Sequence, residues 1–353
     1  MKVLVIGYGY YVFGNTGCIG GTVMPAIQEW KRRNNSQNLH LDILVRSGSL
    51  EKAKGRLNKW LSLNRELNGI SISIVTQCIH EYDCAIIAVP EVAHESVLKN
   101  LSDVDKVICV KPVGRNYDDF ASILQISRER KIDFYVDFHK RYDPANVYIM
   151  EELRKSRSGD FYFTFSYGQK REMVTDYFDK WYATSNPFQY LGPHYLDLIL
   201  KGTGLISEHI DINGEVKVPI RDAKGVPMLV IGYLTLSSGE KNITIQFDIN
   251  WNEPNTMPYS SRQRLEVMAD DIRIASEQDN RGILDWSDAV QIPNPHYRVE
   301  SSLGSVGYGI EIYNEFLNAV AENRNSVSLP TILEYENVAK IINFVNNRIH
   351  ETN

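Results

Sequence analysis

The sequence predicts an α/β fold in two parts, and three observations predict it. From residue 1 to about 140, apolar runs of strand length alternate with segments of helical period, the pattern of a parallel sheet covered on both faces. A glycine turn, Gly7-Tyr8-Gly9, follows the first run directly. After about residue 145 the texture changes to longer stretches alternating apolar and polar residues, which suits strands with one buried face. The reading is an N-terminal Rossmann dinucleotide-binding domain over residues 1–143, then a C-terminal α+β domain over 144–353 with a large, mainly antiparallel open sheet. A chain of 353 residues also exceeds the size at which a single core usually keeps growing.

In chain order, strands are predicted at Lys2–Ile6, Leu41–Val45, Ile70–Val75, Cys84–Val89, Lys106–Val110 and Ile132–Phe138, each a short apolar run bounded by polar or turn residues. Leu50, Ala53, Leu57, Trp60 and Leu61 fall at helical spacing, and Asn68-Gly69 closes that helix. Helices also fit Val92–Leu101 and Tyr117–Arg130. The second half opens with a helix through Leu153, followed by strands at Phe161–Tyr167, Met228–Leu236, Asn242–Asn250 and Arg264–Ala275, with helices expected on one face of their sheet. Ser237-Ser238-Gly239-Glu240 reads as a hairpin turn. Ile312, Phe316, Leu317 and Val320 mark one amphipathic helix, and Val338, Ile341, Ile342 and Val345 another.

Composition narrows the function classes. A hydrophobic content of 43% with 23% charged residues describes a soluble globular protein, neither disordered nor membrane-spanning. The net charge of −6 and the scattered basic residues argue against nucleic acid or a membrane surface as partner, so a small molecule is expected. The apolar run Val3 to Ile6 is too short for a signal-peptide core, and the expected location is the cytoplasm. Cys18, Cys78, Cys84 and Cys109 lack metal-ligand spacing and read as reduced thiols, with no metal site expected.

A dinucleotide fingerprint uses one glycine for the turn, a second for close approach of the pyrophosphate and a third for helix packing. Gly7 and Gly9 fill the first two roles. Position 12 is Val12, and taking Gly20 as the third glycine implies a loop inserted between Gly9 and Gly20. Tyr8, Tyr10 and Tyr11 either shape that loop or cover the cofactor. No acid follows the second strand to bind ribose hydroxyls. The strand instead runs into Arg46-Ser47-Gly48-Ser49, where Arg46 and Ser47 suit a 2′-phosphate, so NADP is expected over NAD. The alternative is an exposed Arg46 with Ser49 as a helix cap.

Lys111 follows an apolar strand and precedes Pro112, which puts its amine at the carboxyl edge of the sheet, where open α/β folds bind ligands. His194, with Pro193 at the start of a helix, titrates near neutrality and suits proton transfer. Asp197, three residues on, either orients that ring or caps the helix. His139, Lys140 and Arg141 follow the sixth strand and suit an anionic group on a substrate, or form a solvated basic turn.

Five stretches then occur in one order: the glycine turn; Ala85-Ile86-Ile87-Ala88-Val89-Pro90 followed by His94; Val110-Lys111-Pro112; Arg141-Tyr142-Asp143-Pro144-Ala145; and Gly192-Pro193-His194 with Asp197. In this order and spacing the chain resembles the glucose-fructose oxidoreductase / inositol dehydrogenase (Gfo/Idh/MocA) family. The resemblance implies a sugar or cyclitol substrate and a homo-oligomer, dimer or tetramer, formed through the open sheet. It places Val89, Pro90 and His94 at the cofactor, makes Lys111 the lysine of the family's Glu-Lys-Pro motif and His194 its catalytic histidine, and matches Arg141 to the arginine after the sixth strand. Two positions depart from the pattern. The Glu before the lysine is Val110, and the Asp that many members carry four residues before the histidine is Tyr190. A tyrosine beside a lysine still donates a proton, so Lys111, Tyr190 and His194 form the expected acid/base set, with packing as the other role open to Tyr190. The function expected is an NAD(P)-dependent dehydrogenase or reductase acting on CH–OH groups of a sugar, cyclitol or anionic sugar derivative. The alternatives are a non-catalytic NADP-binding sensor and a cofactor-retaining glycoside hydrolase.

Overall fold

The computed structural model describes residues 1–14, 21–63, 69–78, 81–101, 103–177, 181–257, 261–277, 282–285, 290–293, 298–301 and 304–351. The first sheet is built from β1 (Lys2–Ile6), β2 (Leu39–Leu44), β3 (Ile70–Val75), β4 (Cys84–Ile87), β5 (Lys106–Val110) and β6 (Asp133–Asp137). All pairs are parallel, in the order β3-β2-β1-β4-β5-β6. This is the Rossmann order, with its switch point between β1 and β4. Val3, Val5, Leu41, Ile43 and Ile86 are buried in one core, as expected of strands covered on both sides.

The connecting helices are α1 (Tyr10–Phe13), α2 (Val23–Arg33), α3 (Leu50–Leu63), α4 (His94–Asn100) and α5 (Tyr117–Glu129). The helix predicted over Val92–Leu101 starts as a 3₁₀ turn at Glu91–Ala93 and becomes α-helical at His94. Residues 15–20 of the inserted loop, Gly20 among them, lie outside the described residues. Gly21 is described, and a Cβ there would sit 2.5 Å from the Gly14 nitrogen, so the chain requires a glycine at this crossing.

The second unit begins with α6 (Pro144–Lys155), whose N-cap Asp143 accepts from the Ala145 amide at 3.0 Å, with Pro144 in the first turn. It continues through β7 (Asp160–Lys170), α7 (Pro187–Leu191), α8 (Pro193–Thr203), β8 (Asp211–Arg221), β9 (Pro227–Ser238), β10 (Lys241–Glu253), β11 (Ser261–Met268), β12 (Arg273–Glu277), β13 (Gly282–Asp285) and β14 (Val290–Pro293). The eight strands are ordered β14-β13-β12-β11-β7-β10-β9-β8. Every neighbouring pair is antiparallel except β7 with β10. Along β10 the residues Ile243, Ile245, Phe247, Ile249 and Trp251 are buried, alternating with Thr244, Gln246 and Asp248 on the more open face. The hairpin lies where predicted: Ser238 pairs with Lys241 across Gly239, whose φ of 59° needs glycine.

Two expectations for this sheet are corrected. Arg264–Ala275 is two antiparallel strands, because the chain reverses at Ala269–Ile272, where the Ala269 amide donates to the Ile272 carbonyl at 2.9 Å. The acidic pair Asp270-Asp271 marks that turn, and Asp271 accepts from the Ser156 hydroxyl and the Arg157 amide. The edge strand β8 was not predicted. Asn213-Gly214 and Pro219 read as breakers, yet an edge strand with irregular register tolerates them.

The chain then returns. β15 (Arg298–Ser301), β16 (Gly304–Gly307) and α9 (Tyr308–Ala321) belong to the first compact unit, which comprises residues 1–114, 118–142 and 298–332. The second comprises 115–117, 143–297 and 333–353, and includes α10 (Glu336–Glu351). The chain thus crosses between the two units several times, one crossing falling between Tyr142 and Asp143. Ile312, Tyr313 and Phe316 of α9 join the core of the first sheet, Trp30 donates to Asn318 at 2.8 Å, and Arg33 pairs with Glu311 at 2.7 Å.

Candidate active site

At the carboxyl edge of the first sheet, β1 ends in a turn that only glycine allows. Gly7 has φ 119°, and a Cβ there would lie 2.3 Å from the Ala88 carbonyl oxygen. Gly9 differs: it caps α1, accepts from the Val12 and Phe13 amides at 3.2 Å, and a Cβ there would meet no atom of the described residues within 4 Å. The first glycine is demanded by the fold, and the second leaves open space beside the backbone. Tyr8 is held against α3, where Arg56 donates to its carbonyl at 3.0 Å and lies 5.7 Å from its ring centre. Beyond β2, Arg46 and Ser47 are exposed at the start of a 3₁₀ turn, with the Ser49 amide donating to the Arg46 carbonyl at 2.7 Å.

Val89 and Pro90 follow β4. His94 joins this loop to the one after β5, its Nε2 2.8 Å from the Val89 carbonyl and its Nδ1 2.9 Å from the Val113 carbonyl. Burial pulls its pKa down, against the pull of those carbonyls. With both nitrogens turned to backbone, His94 braces the two loops that flank Lys111.

Lys111 stands at the end of β5, ahead of a cis peptide bond to Pro112. Loss of hydration pulls its amine from 10.5 to about 7, while Asp137 and Glu91 act in the opposite direction and Lys140 adds to the fall. Around Asp137 lies a buried cluster that the sequence reading missed. Tyr11 and Tyr313 both donate to its Oδ2, the latter at 3.0 Å, and His139 Nδ1 lies 3.2 Å from its Oδ1 and 3.2 Å from the Tyr11 hydroxyl. Burial alone would raise the Asp137 pKa, but His139 and the two phenols bring it below the usual carboxylate value. Burial raises both phenols, and Asp137 raises them further. The only sequence signal was an acid ending the apolar run Phe134-Tyr135-Val136, which requires buried partners. Of the predicted basic trio, His139 points into this cluster, while Lys140 and Arg141 are buried, the Arg141 guanidinium 5.9 Å from the Phe138 ring centre.

In the second unit, Tyr190 closes α7, and His194 and Asp197 occupy the first turns of α8. Asn186 caps α7 by accepting from the Gln189 amide at 3.0 Å, and Gly192 joins the helices where a Cβ would meet the Phe188 carbonyl oxygen at 2.6 Å. His194 and Asp197 are buried. The His194 ring stacks on Tyr167 at 6.4 Å, and half-buried Tyr190 packs 5.2 Å from Trp181 and 6.1 Å from Trp251.

No family model matches the chain, and no curated protein matches it in sequence. Solved structures do match in fold. UDP-N-acetylglucosamine 3-dehydrogenase from Acidithiobacillus ferrooxidans superposes with a TM-score of 0.66 at 15% identity, covering 100% of this chain and 98% of that one. An oxidoreductase from Agrobacterium radiobacter in complex with NAD+, L-tartaric acid and magnesium gives 0.69 at 13%, covering 100% and 97%. Scyllo-inositol dehydrogenase from Lactobacillus casei, with bound NAD(H) and scyllo-inositol, gives 0.65 at 15%, covering 100% and 97%. The chain has the two-domain fold of these oxidoreductases over its whole length, the fold implied by the resemblance. No helix among the described residues is long and apolar enough to cross a membrane.

Proposed function

We propose that the chain is an NADP-dependent oxidoreductase that interconverts a hydroxyl and a keto group on a sugar, cyclitol or anionic sugar derivative. The observation that carries this reading is Lys111, a partly buried lysine at the sheet's carboxyl edge with its pKa drawn to about 7. The matched folds include dehydrogenases named for UDP-N-acetylglucosamine and scyllo-inositol, which supports the substrate class. The residues present fit a dinucleotide: a pyrophosphate can lie against the open side of Gly9, a 2′-phosphate against exposed Arg46 and Ser47, and the nicotinamide end by Val89 and Pro90. When bound, that cofactor supplies the two-electron donor or acceptor.

The protein's own groups manage the proton and the charge. In carbonyl reduction the Lys111 ammonium stabilises oxyanion character growing on the substrate oxygen, and His194 or Tyr190 delivers the proton that completes the hydroxyl. Oxidation runs the same transfers in reverse. His139 and Arg141 bind an anionic part of the substrate, and Asp197 orients His194. We further propose a dimer or tetramer formed on the open sheet face, where Tyr162, Tyr233 and Met268 are exposed. One observation favours a second reading, a cofactor-binding sensor: Tyr190 is packed among Trp181 and Trp251 where a carboxylate would serve catalysis.

The test is reduced-nicotinamide absorbance in both directions across sugars, cyclitols, sugar acids and nucleotide sugars, with light scattering for the oligomer. Turnover of one class with NADP supports the enzyme. NADPH binding without turnover of any class supports the sensor.

A further inference from the structure

We propose that Asp137 is the positioning residue of Lys111, supplying from β6 the carboxylate that position 110 lacks and holding the neighbouring amine in its charged form. The inference rests on reading Lys111 as the cation of the site. β5 and β6 run parallel with Val110 opposite Asp137, so this carboxylate stands on the rung directly before Lys111. The chain thus moves a negative charge one strand sideways instead of doing without it.

The surroundings of Asp137 suit a charge that serves a neighbour. Its Oδ2 accepts from Tyr11 of α1 and Tyr313 of α9, and its Oδ1 faces His139. Phenols solvate a carboxylate without cancelling its charge. Burial holds the imidazole of His139 below its usual pKa even beside Asp137. The other charges acting on Lys111 are Glu91, in the turn after β4, and Lys140, in the turn after β6. Glu91 draws a proton onto the amine and Lys140 repels it. A buried carboxylate tied only for structure would leave the Lys111 titration indifferent to its charge; a positioning carboxylate sets that titration.

Trace acetylation of the full chain over a pH series, read on the Lys111 peptide by mass spectrometry, tests this without any substrate. Asp137→Asn keeps the shape and removes the charge. Lys111 should then lose its proton at lower pH, with about tenfold less of the ammonium form on the alkaline side of the transition. An unchanged Lys111 profile in the folded variant overturns the proposal. Should the single variant fail to fold, Val110→Glu combined with Asp137→Asn, which moves the carboxylate across the same rung, carries the test. A Lys111 profile restored to that of the parent supports the charge role, and a double variant that stays depressed or unfolded overturns it. The two readings fail separately: a Lys111 titration governed by Asp137 in a protein that turns over nothing removes the proposed enzyme but leaves this inference. Turnover with a Lys111 indifferent to Asp137 does the reverse.

Discussion

The two units furnish their key side chains by different physics. In the first, Lys111 has charges from three neighbouring segments acting on it, and its proton affinity is a balance of burial against Asp137, Glu91 and Lys140. In the second, His194 and Tyr190 are placed by aromatic contacts with Tyr167, Trp181 and Trp251 and by two short helices started by proline. An electrostatically tuned group should respond to charge changes and pH, whereas a group placed by packing should respond to volume. The contrast is sharpest at Lys111. Lys111→Met should cut turnover by about 10²–10³-fold while NADPH still binds, as for loss of one charge-stabilising donor. It should also raise stability at neutral pH, by about 1–4 kcal/mol, because the loss of hydration that draws the Lys111 pKa down no longer has to be met in the folded state.

The pH dependence of that gain has a definite sign. The unfolded lysine keeps its proton to about 10.5 and the folded one releases it near 7, so the parent protein gains stability as pH rises between these values. The advantage of Lys111→Met is therefore largest below pH 7 and shrinks towards 10.5, which thermal melts over a pH series would record. Carbonyl reduction, which uses the ammonium, should fall as pH rises through about 7. His194→Asn should lower turnover by about 10²-fold, with a smaller change in melting temperature than that of a volume change at the same buried site.

Smaller effects separate the two glycines of the first turn. Gly7→Ala forces a side chain against the Ala88 carbonyl at positive φ and should cost about 1–3 kcal/mol of stability. Gly9→Ala meets no atom among the described residues and should leave the melting temperature within error, yet weaken NADPH about tenfold by filling the side where the backbone is open. Equal losses of stability from the two changes would break the distinction. The smallest effect is expected at Arg46, where alanine should narrow the preference for NADPH over NADH by about tenfold, measured as a ratio of binding constants. An unchanged ratio would remove Arg46 from the cofactor site.

What the sequence made legible follows from the range of the interactions involved. Strands β1, β4 and β5 are nearly continuous apolar runs, and the turn at Gly7 and the strand-end lysine at 111 are local features, so each is readable within about ten residues. The Asp137 cluster is not local: its phenols come from 126 and 176 residues away in the chain, and nothing near Asp137 announces either. The helix holding Phe316 was readable as amphipathic, but not that it returns to the first sheet, because periodicity gives a buried face and not its partner. The turn at Ala269–Ile272 was hidden by apolar residues on both sides, and β8 by a proline that an edge strand can carry. The inserted loop's Gly20 lies outside the described residues, while Gly21 shows where the chain packs too closely for any side chain.

The most direct test of the account is turnover by the parent protein and Lys111→Met measured side by side with NADPH and a panel of keto sugars and ketocyclitols. The account predicts that both bind NADPH with similar affinity and that only the parent consumes it, at a rate that falls as pH rises through about 7. Equal consumption by the two proteins, or a parent that binds NADPH tightly and reduces nothing on the panel, would contradict it.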